Sequence, residues 1–134
     1  MNATTDFLSI PQGRLEIRRI AAARSNAPTL VFLHEGLGCV GLWRDFPDRV
    51  AAATGCGALI YSRFGYGASD PAALPRPLSY MHDEALTVLP EVLRAAGIGA
   101  HVLIGHSDGG SIALIHAGSA ATPGLKGVVT MAAH

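Results

Sequence analysis

The sequence carries little charge, and its two signs cancel. Only 15% of its 134 residues are charged, and ten basic side chains balance ten acidic ones, so the formal net charge is zero. Such a chain has no excess of either sign with which to attract nucleic acid or an anionic lipid surface. We therefore expect neither nucleic acid nor a membrane as a partner.

Cysteines and long apolar runs are equally scarce. No stretch approaches the roughly 18 consecutive apolar residues of a membrane helix, and the N-terminal residues lack the basic and apolar regions of a signal peptide. Because disulfides are rare in proteins that are not exported, Cys39 and Cys56 are expected to be free, buried thiols. These absences predict a cytoplasmic protein, and residues 1–134 fit within one domain.

What the sequence does contain is a set of short apolar runs separated by helix-like segments. Runs at 29–34, 57–62, 101–106 and 127–133 are almost entirely apolar, which is typical of strands covered on both faces of a parallel sheet. An earlier run at 14–22 alternates weakly and predicts an antiparallel strand.

Three helices are predicted between these strands. The first, at 42–55, ends at Gly55, the second spans 79–99, and the third spans 108–120. Pro90 falls inside the second and should kink or split it, because proline has no N–H to donate within a helix. Alternating strands and helices predict an α/β fold with a doubly wound, mostly parallel sheet.

Three glycine-containing loops follow the central strands of this predicted sheet. They are HEGLG at 34–38, SRFGYGASD at 62–70 and HSDGG at 106–110. The carboxyl ends of parallel strands lie at one edge of a sheet, and ligands of such sheets bind there. We therefore expect the three loops to meet at that edge.

The last of these loops contains a serine between glycines. Residues 105–109 fit the pattern G-x-S-x-G between a predicted strand and a predicted helix, which indicates a nucleophile at Ser107. A serine raised above the sheet in a strained turn needs neighbours without side chains, and Gly105 and Gly109 provide them. A plain glycine-rich turn would explain the same residues, whereas a phosphate-binding loop would need a different glycine pattern.

In their order and spacing, the three loops resemble those of α/β-hydrolase-fold proteins of the serine hydrolase type. HEGLG resembles the oxyanion loop H-G-x-x-G, SRFGYGASD resembles the loop D-x-x-G-x-G-x-S, and GHSDGG resembles the nucleophile elbow. The resemblance spans nearly all 134 residues and corresponds to the N-terminal half of such a protein.

The resemblance implies a role for several residues. Ser107 would be the nucleophile, and the backbone N–H groups of Gly36 and Asp108 would form the oxyanion hole. His34 would brace the oxyanion loop rather than transfer protons. No cofactor and no metal are implied.

Two positions depart from the family pattern. Glu35 stands where the family usually has glycine, and its carboxylate could either favour a cationic substrate or bond to the loop backbone. Ser62 replaces the usual aspartate of the second loop, which is expected to change only local hydrogen bonding.

An activated serine also needs a histidine base and an acid that orients it. In this fold the chain order is serine, acid, histidine, yet after Ser107 the only acid is Asp108, which is expected to point into its own helix. His116 and His134 do not fit the expected place of the base. We therefore expect a sheet that is truncated after about the sixth strand, with the C-terminal part of the domain, including the acid, the base and any lid, absent from residues 1–134.

The expected parent protein is an esterase-like serine hydrolase that acts on a carboxylic ester or a related acyl substrate. Amide, thioester and C–C bond hydrolysis use the same constellation, and the oligomeric state is left open. A serine nucleophile argues against dehalogenase or epoxide hydrolase chemistry, for which the resemblance implies aspartate at position 107. The alternatives are a non-catalytic homologue that binds a small ligand or a protein, and a finished 134-residue chain that oligomerises through its edge strand.

Overall fold

Six strands form one sheet, in the order β1-β2-β4-β3-β5-β6, in the computed structural model, which describes residues 6–119 and 122–134. The strands are β1 (Asp6–Ile10), β2 (Gly13–Ile20), β3 (Thr29–Leu33), β4 (Ala58–Tyr61), β5 (His101–His106) and β6 (Leu125–Met131). β1 and β2 are paired antiparallel, as are β2 and β4, while β4, β3, β5 and β6 run parallel. The predicted α/β fold with a mostly parallel sheet is confirmed.

Helices cover both faces of the sheet. They are α1 (Phe46–Thr54), α2 (Tyr80–Asp83), α3 (Leu89–Ala95) and α4 (Asp108–Ala117), with a 3₁₀ turn at Gly41–Trp43 and a π turn at Glu84–Val88. Alternate residues of β3 point to the two faces, so that Leu30 and Phe32 pack with the α1 side while Val31 and Leu33 pack with α3 and α4. This two-sided burial is the reason why the central strands are apolar throughout.

The register of the sheet brings the three glycine-containing loops together. Leu33, the last residue of β3, pairs with Tyr61 of β4 on one side and with Gly105 of β5 on the other. The segments that follow these residues therefore leave the same edge of the sheet from adjacent strands, as the sequence predicts.

Several boundaries differ from the predicted ones. Residues 6–10 form β1, where the sequence predicts no strand, and β6 begins two residues before the predicted run at 127–133. The first helix begins at Phe46 after the 3₁₀ turn and ends, as predicted, at Gly55, whose positive φ of 74° closes it. The third ends at Ala117, and its predicted last residue, 120, lies outside the described residues.

Pro90 changes the second helix in a way that the sequence does not predict. The helical run continues from Tyr80 to Ala95, but its hydrogen bonds shift to the i→i−5 pattern just before the proline. In that pattern Pro90 has no N–H to offer to the carbonyl of Ala85. The Nδ1 atom of buried His116 lies 2.9 Å from that carbonyl oxygen and donates to it instead. His116 therefore has a structural role.

Cys39 and Cys56 are free thiols, as expected, but only Cys56 is buried, whereas Cys39 is partly exposed. Within the described residues, none of the helices is both long and apolar enough to cross a bilayer.

β6 leaves one apolar edge of the sheet without a partner strand in the described part of the chain. It pairs only with β5, and Val129 is 50% exposed. Exposed apolar edges of this kind recruit other chains. We expect residues 1–134, when produced alone, to be oligomeric or insoluble in size-exclusion chromatography with light scattering.

A charge on this edge should reduce the association. Val129→Lys places an ammonium group on the exposed side of β6, and we expect it to raise the monomer fraction. A wild-type fragment that is monodisperse, monomeric and cooperative in its melting would contradict the prediction.

Candidate active site

Ser107 sits in the turn between β5 and α4 with an unusual backbone conformation. Its φ is 53° and its ψ is −115°, a region that costs a non-glycine residue about 1–3 kcal/mol. Its N–H donates to the carbonyl oxygen of Met131 at 2.8 Å, and its own carbonyl oxygen accepts from the N–H of Ser111 at 3.1 Å. Hydrogen bonds on both sides thus hold the strained residue in place.

The two flanking glycines are required by close backbone contacts. A Cβ atom on Gly105 would lie 2.6 Å from the backbone nitrogen of Gly110. A Cβ atom on Gly109 would lie 2.7 Å from the carbonyl oxygen of His34 and would overlap the carbonyl group of Leu33. The turn is therefore possible only because both positions lack side chains.

Gly36 and Asp108, the residues expected to supply oxyanion donors, lie beside each other. A Cβ atom on Gly36 would be 2.9 Å from Oδ2 of Asp108. Within residues 6–119 and 122–134, neither backbone N–H takes part in a hydrogen bond, and the N–H of Asp108 belongs to the unpaired first turn of α4. Two backbone donors, one on the residue after Ser107 and one on Gly36, which lies against the Asp108 side chain, are thus available to a ligand.

The side chain of Asp108 does not point into its own helix, contrary to the expectation from the sequence. Its Oδ2 accepts from the hydroxyl of Tyr80 at 2.7 Å, and its Oδ1 lies 2.7 Å from Nε2 of His134. Burial opposes its ionisation, but these two hydrogen bonds and the nearby Arg63 charge together hold the pKa of Asp108 below its usual value. The acid thus joins α2 and the segment after β6 to the start of α4, a contact between distant residues that spacing along the chain does not reveal.

His34 connects the backbone of the oxyanion loop to the segment that follows β4. Its Nδ1 donates to the carbonyl oxygen of Glu35 at 2.6 Å, and its Nε2 accepts from the backbone N–H of Arg63 at 2.9 Å. Burial, with the nearby charge of Arg63, lowers the pKa of His34 to about 3. The imidazole is therefore neutral at physiological pH, and both of its nitrogens are already occupied.

Glu35 bonds to the loop backbone, the second of the two expectations for this residue. Its Oε2 accepts from the N–H of Leu37 at 3.1 Å. The carboxylate thereby stabilises the turn of the oxyanion loop.

At Ser62 the structure shows how the missing aspartate is replaced. The buried hydroxyl of Ser62 donates to Oε1 of Glu16 at 2.7 Å and accepts from the N–H of Val40 at 2.8 Å. Glu16 belongs to β2, and its Oε1 also accepts from the N–H of Ala68 at 3.2 Å. A carboxylate is thus still present at this loop, supplied by another strand.

The sequence motifs assign no role to three residues at this edge: Glu16, Tyr80 and Arg63, which is a variable position of the second loop. Glu16 and Tyr80 lie far along the chain from the groups they contact, so spacing alone gives no signal for them. Arg63 offers a weak signal, because a charged residue directly after a fully apolar strand is unusual.

Comparison with known proteins assigns the fold to a family. The model of the alpha/beta hydrolase family matches residues 30–133. The chain belongs to the alpha/beta hydrolase family. A human (lyso)-N-acylphosphatidylethanolamine lipase is 29% identical over 108 residues, which are 80% of this chain and 31% of the lipase.

Solved structures show the same alpha/beta hydrolase fold. An esterase from Exiguobacterium antarcticum has a TM-score of 0.78 at 19% identity, over 97% of this chain and 46% of the esterase. A structure from a study of epoxide hydrolases in metagenomes from hot environments also has a TM-score of 0.78, at 21% identity, over 99% of this chain and 43% of that one. The chain therefore spans less than half the length of these relatives.

Proposed function

We propose that the full-length protein is a serine hydrolase that cleaves a carboxylic ester or a related acyl compound, and that residues 1–134 are the N-terminal part of its catalytic domain. One observation carries the proposal: Ser107 occupies a strained turn beside two backbone N–H groups, of Gly36 and Asp108, that are unpaired in the described part of the chain. A strained residue next to unused donors favours function over a plain glycine-rich turn.

The reaction follows from this arrangement. The Oγ atom of Ser107 attacks the carbonyl carbon of the substrate, and its proton passes to a base. The carbonyl oxygen becomes an oxyanion that the N–H groups of Gly36 and Asp108 stabilise. Collapse of this intermediate expels the alcohol, which takes the proton from the base, and water then hydrolyses the acyl-enzyme by the same steps.

The base is proposed to lie outside residues 1–134. All six histidines are among the described residues, and the hydroxyl of Ser107 makes no hydrogen bond with any of them. The relatives named as a lipase and an esterase support an ester as the substrate. The epoxide hydrolase neighbour supports only the fold, because a serine rather than an aspartate stands at the elbow of this chain.

A fluorophosphonate probe tests the proposal. We expect the full-length protein to be labelled at Ser107, as located by peptide mass spectrometry, and the Ser107→Ala variant to remain unlabelled. Ser25→Ala removes an exposed serine in a loop and should leave labelling unchanged. If the folded wild-type protein resists labelling, a ligand-binding homologue without catalytic activity becomes the better description.

A further inference from the structure

Arg63 is a buried arginine whose guanidinium group contacts the backbone of the oxyanion loop. Only 1% of its surface is exposed. Its Nη1 donates to the carbonyl oxygen of His34, and its Nη2 donates to that of Glu35 at 3.4 Å. Arg63 follows β4, so these bonds connect two of the three loops at the site edge.

These contacts determine which way the next peptide group faces. The carbonyl oxygen of Glu35 accepts from Arg63 and also from Nδ1 of His34 at 2.6 Å. In a trans peptide the N–H points opposite to the carbonyl. The N–H of Gly36 therefore points away from Arg63 and His34, and Gly36 itself lies against Asp108 at the elbow.

An apolar side chain could fill the space of Arg63, but it could not donate hydrogen bonds to the loop carbonyls. A buried guanidinium is costly unless it is hydrogen-bonded and balanced by negative charge. In the described part of the chain it makes no salt bridge; its side chain donates hydrogen bonds to the two loop carbonyls, and its guanidinium carbon lies 5.3 Å from the centroid of the Tyr66 ring. The nearby acid that provides negative potential is Asp108, whose pKa lies below its usual value, whereas burial raises the pKa of Glu84 to about 7 although Arg63 opposes this rise.

We propose that Arg63 is a positioning residue of the oxyanion hole, which holds the Glu35–Gly36 peptide so that the N–H of Gly36 faces Ser107. This inference rests on the proposed serine hydrolase activity. The neutral His34 donates to the same carbonyl, so the peptide is fixed by two donors, one that follows β3 and one that follows β4. A reversed peptide would present the carbonyl oxygen of Glu35 to the developing oxyanion and repel it.

The test compares Arg63→Met and Arg63→Lys in the full-length protein with a p-nitrophenyl ester as substrate. Methionine keeps most of the side-chain length but has no donor. We expect kcat to fall by about 10²–10³-fold, the loss typical of one oxyanion donor, with KM little changed. Lysine keeps the charge but is a point donor that cannot span two carbonyls, so its kcat should lie between those of wild type and methionine.

A second measurement distinguishes a positioning role of Arg63 in catalysis from a purely structural role. Sulfur is a weak acceptor, so an intact oxyanion hole favours an ester over the corresponding thionoester. The ester-to-thionoester rate ratio should therefore fall in both Arg63 variants. Arg24→Met is the control, because Arg24 donates to the carbonyl oxygen of Thr54 at 3.3 Å and not to any of the three loops; it should keep the wild-type ratio.

The outcomes distinguish the proposed serine hydrolase function from the proposed positioning role of Arg63. A wild-type protein that is folded but unlabelled at Ser107 overturns the proposed function itself. A labelled wild type whose Arg63→Lys variant keeps both kcat and the rate ratio overturns the positioning role alone. If Arg63→Met does not fold, the rate ratio of Arg63→Lys decides the question.

Discussion

Replacing Gly109 with valine is expected to abolish Ser107 labelling and ester hydrolysis in the full-length protein. The Cβ of valine would overlap the carbonyl group of Leu33 and lie 2.7 Å from the carbonyl oxygen of His34. Both obstacles are backbone atoms at the end of a central strand, so they cannot move aside as a side chain could. The cost should exceed the about 1–3 kcal/mol of ordinary overpacking in a core.

The same substitution at Gly99 provides the control. No atom lies within 4 Å of a Cβ built there, and its φ is not positive, so Gly99→Val should keep near-normal activity and melting temperature. Circular dichroism and a thermal melt would show whether Gly109→Val loses the whole fold or only the turn. Normal labelling of the valine variant would mean that α4 does not pack against β3 as described.

The sequence predicts that position 109 must be glycine, but it does not predict which atoms a side chain there would meet. From the pattern alone, a side chain at position 109 was expected to crowd the strained serine. The structure shows instead that it would collide with the end of β3, a strand more than 70 residues earlier in the chain. The motif identifies which residue must be glycine, whereas the collision partner depends on the packing of α4 on the sheet.

The sheet itself was largely predictable. The runs at 29–34, 57–62 and 101–106 are apolar throughout because both faces of the central strands are covered, and they coincide with β3, β4 and β5 to within a residue at either end. The sequence does not predict β1, because a segment of five residues is too short to give a clear pattern. The other edge strand, β6, is predicted because its run is longer and apolar.

The partners of the site were less predictable than its motifs. The hydrogen bonds from Ser62 to Glu16 and from Tyr80 to Asp108 join residues that are 46 and 28 positions apart. Such contacts depend on strand order and register, which no local pattern encodes. Glu16 of β2 thus brings a carboxylate to the second loop, where the resemblance implies an aspartate at the position of Ser62.

All six histidines of the chain lie among the described residues. His34, His101 and His116 are buried and hydrogen-bond to backbone carbonyls through Nδ1. His134 is engaged with Asp108, His106 packs beside Trp43, and His82 is exposed on α2. Among the described residues, none of these histidines forms a hydrogen bond to the hydroxyl of Ser107.

We therefore expect residues 1–134 alone to hydrolyse p-nitrophenyl esters no faster than their own Ser107→Ala variant. Without a base the hydroxyl stays protonated and is a weak nucleophile. The full-length protein should turn over about 10⁴–10⁶-fold faster, the range lost when a member of a serine triad is removed. Far-UV circular dichroism of the soluble fragment must show the α/β fold, so that inactivity reflects the missing base rather than unfolding. Turnover by the fragment that disappears in Ser107→Ala would mean that one of these six histidines reaches the serine after all.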